Sequence, residues 1–143
     1  MTDSVEDALL TLAGERQEWQ ARRDAADYLR QHPTPTVVLA LIDALRVADY
    51  RVHWAAAEAL AEMGEAAVRP LLRALVNSVE KPHMREGAKH VFLRNKSEDV
   101  REDTEEIMQM IHNGAGDNDV RAAALALYDA FSLKEQQAKE AME

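Results

Sequence analysis

Tyr50-Arg51-Val52-His53-Trp54-Ala55-Ala56-Ala57-Glu58-Ala59-Leu60-Ala61-Glu62-Met63-Gly64 is the stretch on which the fold turns. Val52, Ala56, Ala59, Leu60 and Met63 recur at steps of three and four, which places them on one face of a helix, and Gly64 follows as a stop. Beyond it, from about Ala66, Val68, Leu71, Leu72 and Leu75 give a second helix an inward stripe of its own. Pro70 falls in the first turns of that helix, where a missing amide costs least because the leading amides have no intrahelical acceptor. Two facing stripes joined by a glycine turn predict a helical hairpin, and the small alanines of its first helix allow close approach.

The hairpin recurs. A shift of 31 residues lays Ala25-Ala26-Asp27-Tyr28-Leu29 on Ala56-Ala57-Glu58-Ala59-Leu60, and the same shift reaches Glu86-Gly87-Ala88-Lys89-His90-Val91. A fourth copy begins at Asp119, where Val120 to Tyr128 lies on Val52 to Leu60 without a gap. Thr34-Pro35 predicts a capped start for a helix through Val38, Leu41, Ile42 and Leu45, and Lys81-Pro82 opens the third pair. Ser97 caps a helix with Val100, Thr104, Ile107, Met108 and Ile111 inward, and the glycine-rich turn Asn113 to Asn118 ends it. Ser132 has the spacing of a capping box and predicts a separate, solvated terminal helix. Residues 4–12 carry Val5, Leu9 and Leu12 on one side and predict a short helix over the first unit's edge. The expected organisation is one all-α domain over 1–143, with an N-terminal cap at 1–14 and units at 16–47, 49–77, 81–113 and 118–143.

Composition narrows the function classes. The 143 residues contain no cysteine, which excludes disulfides, zinc-thiolate sites, iron–sulfur clusters and thiol nucleophiles. Seventeen Lys and Arg against 26 Asp and Glu leave a net charge of −9, which repels a phosphate backbone, so no nucleic-acid partner is expected. The strictly apolar run Val37 to Ile42 is far short of the ~20 residues of a membrane span, and the first residues are acidic where a targeting signal is basic. A cytoplasmic protein without a membrane anchor is the expectation.

Tyr50 to Gly64 followed by Ala67 to Leu75 resembles a HEAT repeat, and more narrowly the short HEAT-like subtype of phycobilisome lyases. That resemblance implies an α-solenoid, a right-handed superhelix of about four antiparallel helix pairs with short terminal capping helices. In it the second helices line one surface, usually the concave one. It further implies a protein-interaction scaffold, or alternatively a bilin lyase-like subunit or chromophore chaperone. A His/carboxylate metal-dependent enzyme is a third reading. The His-Glu dipeptides of the HEAT-like deoxyhypusine hydroxylases are absent, and the cationic groove of the HEAT-like DNA glycosylases does not suit this charge.

Candidate binding residues follow from what the core stripe leaves over. Tyr50, Trp54, Ala57 and Ala61 form a second stripe, which either packs on the adjacent unit or presents Trp54 and Tyr50 as anchors for a partner protein. Trp19 occupies the position equivalent to Tyr50 and faces the same choice. Glu98, Asp99, Glu102, Asp103, Glu105 and Glu106 crowd one helix start beyond what capping requires, and Glu102, Asp103 and Glu106 are candidates for steering a basic segment. His83, Glu86 and His90 share a helix face. However, the two histidines lie ~10.5 Å apart along the axis, so one ion could join Glu86 to either but hardly all three, and no metal is expected there; no cofactor is nominated elsewhere. Arg22, Arg23, Arg51, Arg69 and Arg73 form a basic grouping expected to pair with nearby carboxylates. No catalytic residue is nominated.

Overall fold

Among residues 4–142, which the computed structural model describes, nine α-helices and one 3-10 turn are present and no strand. The helices are α1 (Ser4–Ala13), α2 (Trp19–Leu29), α3 (Pro35–Ala44), α4 (Tyr50–Glu62), α5 (Val68–Asn77), α6 (Pro82–Leu93), α7 (Glu98–Asp103), α8 (Glu105–His112) and α9 (Asp117–Ala141). Residues 1–3 of the expected N-terminal cap and residue 143 of the last unit lie outside the described residues.

Local chemistry sets the boundaries. Thr34 Oγ1 accepts from the Val37 amide at 3.3 Å with Pro35 as the first helical residue, and Ser97 Oγ does the same for Val100. Gly64 ends α4 at φ +62°, and Gly114 ends α8 at φ +75°, a region that costs a side-chain-bearing residue free energy. After Gly64 the chain makes a 3-10 turn, Gly64–Ala67, so the second helix starts at Val68 and not at Ala66. Asn95, almost fully buried, ties this turn to the next unit: its Nδ2 donates to the Gly64 carbonyl at 3.1 Å and its Oδ1 accepts from the Ser97 amide at 3.0 Å.

Two expectations need correction. The helix predicted from Ser97 is broken at Thr104 into α7 and α8. The buried Thr104 hydroxyl donates back to the Val100 carbonyl at 2.6 Å, a bond that bends helices. No new helix starts at Ser132, because α9 runs unbroken through it and the Ser132 hydroxyl donates to the Tyr128 carbonyl instead of capping.

The helices pack in two rows. In one, α2 lies on α4, α4 on α6 and α6 on α8; in the other, α1 lies on α3, α3 on α5 and α5 on α9. Crossing contacts join α1 to α2, α3 to α4, α5 to α6 and α8 to α9. Between the rows, buried apolar side chains form one cluster from Ala8 to Phe131, including Leu29, Leu41, Leu60, Leu72 and Phe92. Although α9 aligns in sequence with α4, it packs on α5 in the other row, because α8 already covers the outer flank of α6.

Candidate partner-binding surfaces

The second stripe of α4 divides. Ala57 and Ala61 are buried, whereas Tyr50 is 56% and Trp54 38% exposed. Trp54 rests on α6 with its ring 4.6 Å from that of His90, and Tyr50 meets His83 edge-on at 5.7 Å. One flank of each ring packs on the next helix and the other faces solvent.

Beneath them lies His53, fully buried. Its Nδ1 donates to the Leu45 carbonyl at 2.8 Å, and Nε2 has no partner among the described residues. Burial pushes the His53 pKa below its ordinary value, which the Leu45 hydrogen bond opposes and the nearby His83 and His90 reinforce. His90 Nε2 lies 2.7 Å from Glu58 Oε1, so this ring is engaged across the α4–α6 seam. Among the described residues no group of three or more histidines and carboxylates is placed to hold a metal ion.

Trp19 stands in a different environment. Arg51 lies 3.9 Å over its ring and Arg23 5.1 Å, so guanidinium groups cover the indole. Arg51 is itself held by Asp49, whose carboxyl its hydrogen bonds lower to about 2.

The acidic run faces three ways. Glu98, Glu102 and Glu105, with Arg101 among them, rim a groove of about 300 Å³ floored by Phe92, Leu93 and Met108, with Leu93 52% exposed. Asp103 turns toward α9, 3.7 Å from Lys134 Nζ. Glu106 is exposed, outside the lining of that groove. The expected arginine grouping also divides: Arg23 and Arg51 gather at Trp19, Arg22 donates to the Leu12 carbonyl at 3.0 Å, and Arg69 and Arg73 stand over the Tyr128 ring at 5.3 and 5.9 Å. Sequence reasoning missed the surface that α3, α5 and α9 form together around Tyr128. Its signals were the four-residue step from Arg69 to Arg73 and the outward Leu39, but nothing in the sequence placed α9 beside α5.

A family model described as HEAT repeats matches residues 6–93, more than half of the chain. No curated protein and no solved structure matches it.

Proposed function

The chain belongs to the HEAT-repeat family, and from that premise we propose that it is a non-catalytic protein-binding module whose α4 aromatics anchor a partner protein. HEAT repeats generally act as protein-interaction scaffolds. The observation that carries the reading is the pair Tyr50 and Trp54, each with one flank held by a histidine of α6 and the other in solvent. Rings already fixed in this way lose little rotational freedom when a partner covers them, and aromatic anchors supply a large share of interface energy. Trp19, under its arginines, is the weaker anchor. Glu102 at the rim of the Leu93 groove, with Asp103 and Glu106 adding to the same field, supplies attraction for a basic segment of that partner.

These surfaces belong, in this reading, to a right-handed α-solenoid of the short HEAT-like subtype with units at 16–47, 49–77, 81–113 and 118–143. The starts of α2, α4 and α6 at 19, 50 and 82, steps of 31 and 32 residues, support the short unit. The last unit is atypical, as terminal repeats are, because α9 caps α5.

The test uses the folded chain as bait, with circular dichroism confirming helix content in each variant. Proteins captured by the wild type should be lost, by roughly tenfold or more, from a Tyr50→Ala/Trp54→Ala bait. A Glu102→Lys/Asp103→Lys/Glu106→Lys bait should lose the basic partners first. Equal capture by all three would refute both assignments.

A further inference from the structure

A groove of about 500 Å³ runs between α3 and α5 on the row opposite α4 and is closed at one end by Tyr128 of α9. Its floor is apolar, built from Ile42, Pro70 and Ala74, with Leu39 at the edge 60% exposed. Its rim inverts the charge of the molecule. Arg46, Arg69 and Arg73 line it against Asp43 alone, in a chain that carries an excess of nine negative charges.

The three cations are unequally committed. Arg46 is paired with Asp43 and also reaches Ser78 Oγ at 3.2 Å, and Arg69 is paired with Glu135. Arg73 is exposed and makes no ion pair or hydrogen bond among the described residues; its guanidinium stands 5.9 Å from the Tyr128 ring centre. Arg69 keeps an additional buried donor, Nε, without an acceptor among the described residues. A guanidinium stacked on an aromatic ring is already oriented, so a carboxylate that binds its free edge orders little else.

We infer that the α3–α5–α9 groove binds an acidic peptide segment, its carboxylates on Arg73 and Arg69 and an apolar side chain on the Leu39–Ile42–Ala74 floor. Charge complementarity selects this occupant: an acidic segment finds in the groove the one arginine left without a carboxylate, and the Glu135 carboxylate already shows that Arg69 accepts such a group. From Pro35 to Arg46 the α3 edge of the groove is about 16 Å long, room for roughly five extended residues. A nucleic acid would bring the same charge, but it would leave the apolar floor uncovered and meet the repulsion of the remaining surface. This groove lies on different helices from the Tyr50–Trp54 anchors, so the inference is independent of the reading above.

The probe is a fluorescein-labelled nonapeptide of aspartates and glutamates around a central Phe-Leu pair, titrated against the full chain at low salt. A second peptide has lysine at every acidic position, and a labelled single-stranded oligonucleotide is the third ligand. Arg73→Glu should weaken the acidic peptide by roughly tenfold or more, and Leu39→Ser by severalfold. Arg30→Glu, the same charge change just past the end of α2, should leave binding within about twofold, as should Tyr50→Ala/Trp54→Ala. In amide and guanidinium NMR spectra of the labelled chain, Leu39, Arg69 and Arg73 should move together. Absence of binding up to about a millimolar peptide, equal binding by the lysine peptide, tighter binding of the oligonucleotide, or equal losses for Arg73→Glu and Arg30→Glu would each overturn the inference. Loss of peptide binding in the Tyr50→Ala/Trp54→Ala variant would refute the independence of the two surfaces.

Discussion

His53 shows how one buried side chain links pH to the seam between α4 and α6. Its imidazole is neutral and donates through Nδ1, and the groups facing it are His83, His90 and Glu86 of α6 and the Leu45 carbonyl. Because burial lowers the folded pKa, the stability His53 contributes is complete above its ordinary value of 6.5. It is lost as pH falls from there through the folded value, since the unfolded chain takes up the proton first. Each unit of depression corresponds to about 1.4 kcal/mol. Urea unfolding at pH 7.5 and 5.5 should therefore show a loss on acidification that His53→Asn, which keeps a donor for Leu45 but cannot ionise, reduces. An unchanged pH slope in the variant would assign the loss to other groups. Gly87 is a second residue whose identity is dictated by a neighbour. A Cβ there would stand 2.9 and 3.0 Å from the two Cδ atoms of Leu45, which is fully buried and has little space to yield. Gly87→Ala gains about 1 kcal/mol of helix propensity but incurs about 1–3 kcal/mol of overpacking, so a net loss near 1 kcal/mol is expected in urea melts.

At the scale of the element, the starts and stops were readable because each has a chemical cause in one or two residues: Thr34 with Pro35, Ser97, Gly64, Gly114. Where the cause lay in a third residue's alternative hydrogen bond, the sequence pattern misled. Thr104 looked like one more inward position, yet its hydroxyl bends the helix, and Ser132 looked like a cap, yet the helix entering it was already formed. The proposed binding surfaces were legible only as far as one helix carries them. Tyr50 and Trp54 were found on α4, whereas the groove around Tyr128 depends on which row α9 joins, a matter of packing between distant segments. The hydrogen bonds at the α6–α7 corner and at the α7–α8 break can be ranked on the same grounds. Thr104→Val removes a donor but leaves the Val100 carbonyl its bond from the Thr104 amide, so stability should change by no more than about 0.5 kcal/mol. Asn95→Ala strands the Ser97 amide and removes the Gly64 carbonyl's bond to the next unit, and should cost about 1–3 kcal/mol. Equal losses in chemical denaturation would contradict this ranking.

On the scale of the whole molecule, the question is whether the two rows unfold as one body. Repeat arrays are held by contacts between neighbours, so a central lesion can loosen only its own surroundings when the interfaces are weak. Here the buried cluster is continuous from α1 to α9, and the rows are joined at α1–α2, α3–α4, α5–α6 and α8–α9, so every unit is braced along its row and across it. Leu60, fully buried in α4, lies near the middle of that cluster. Leu60→Ala should cost about 2–5 kcal/mol, a large part of the stability of a chain this size. If the interior acts as one cooperative unit, hydrogen exchange read by mass spectrometry should quicken in α2 and in the Val120–Phe131 segment of α9 by the same factor as in α4. Faster exchange confined to α3, α4 and α5 would mean that the continuous core is mechanically divided, with the arginine groove and the Tyr50–Trp54 face able to move separately.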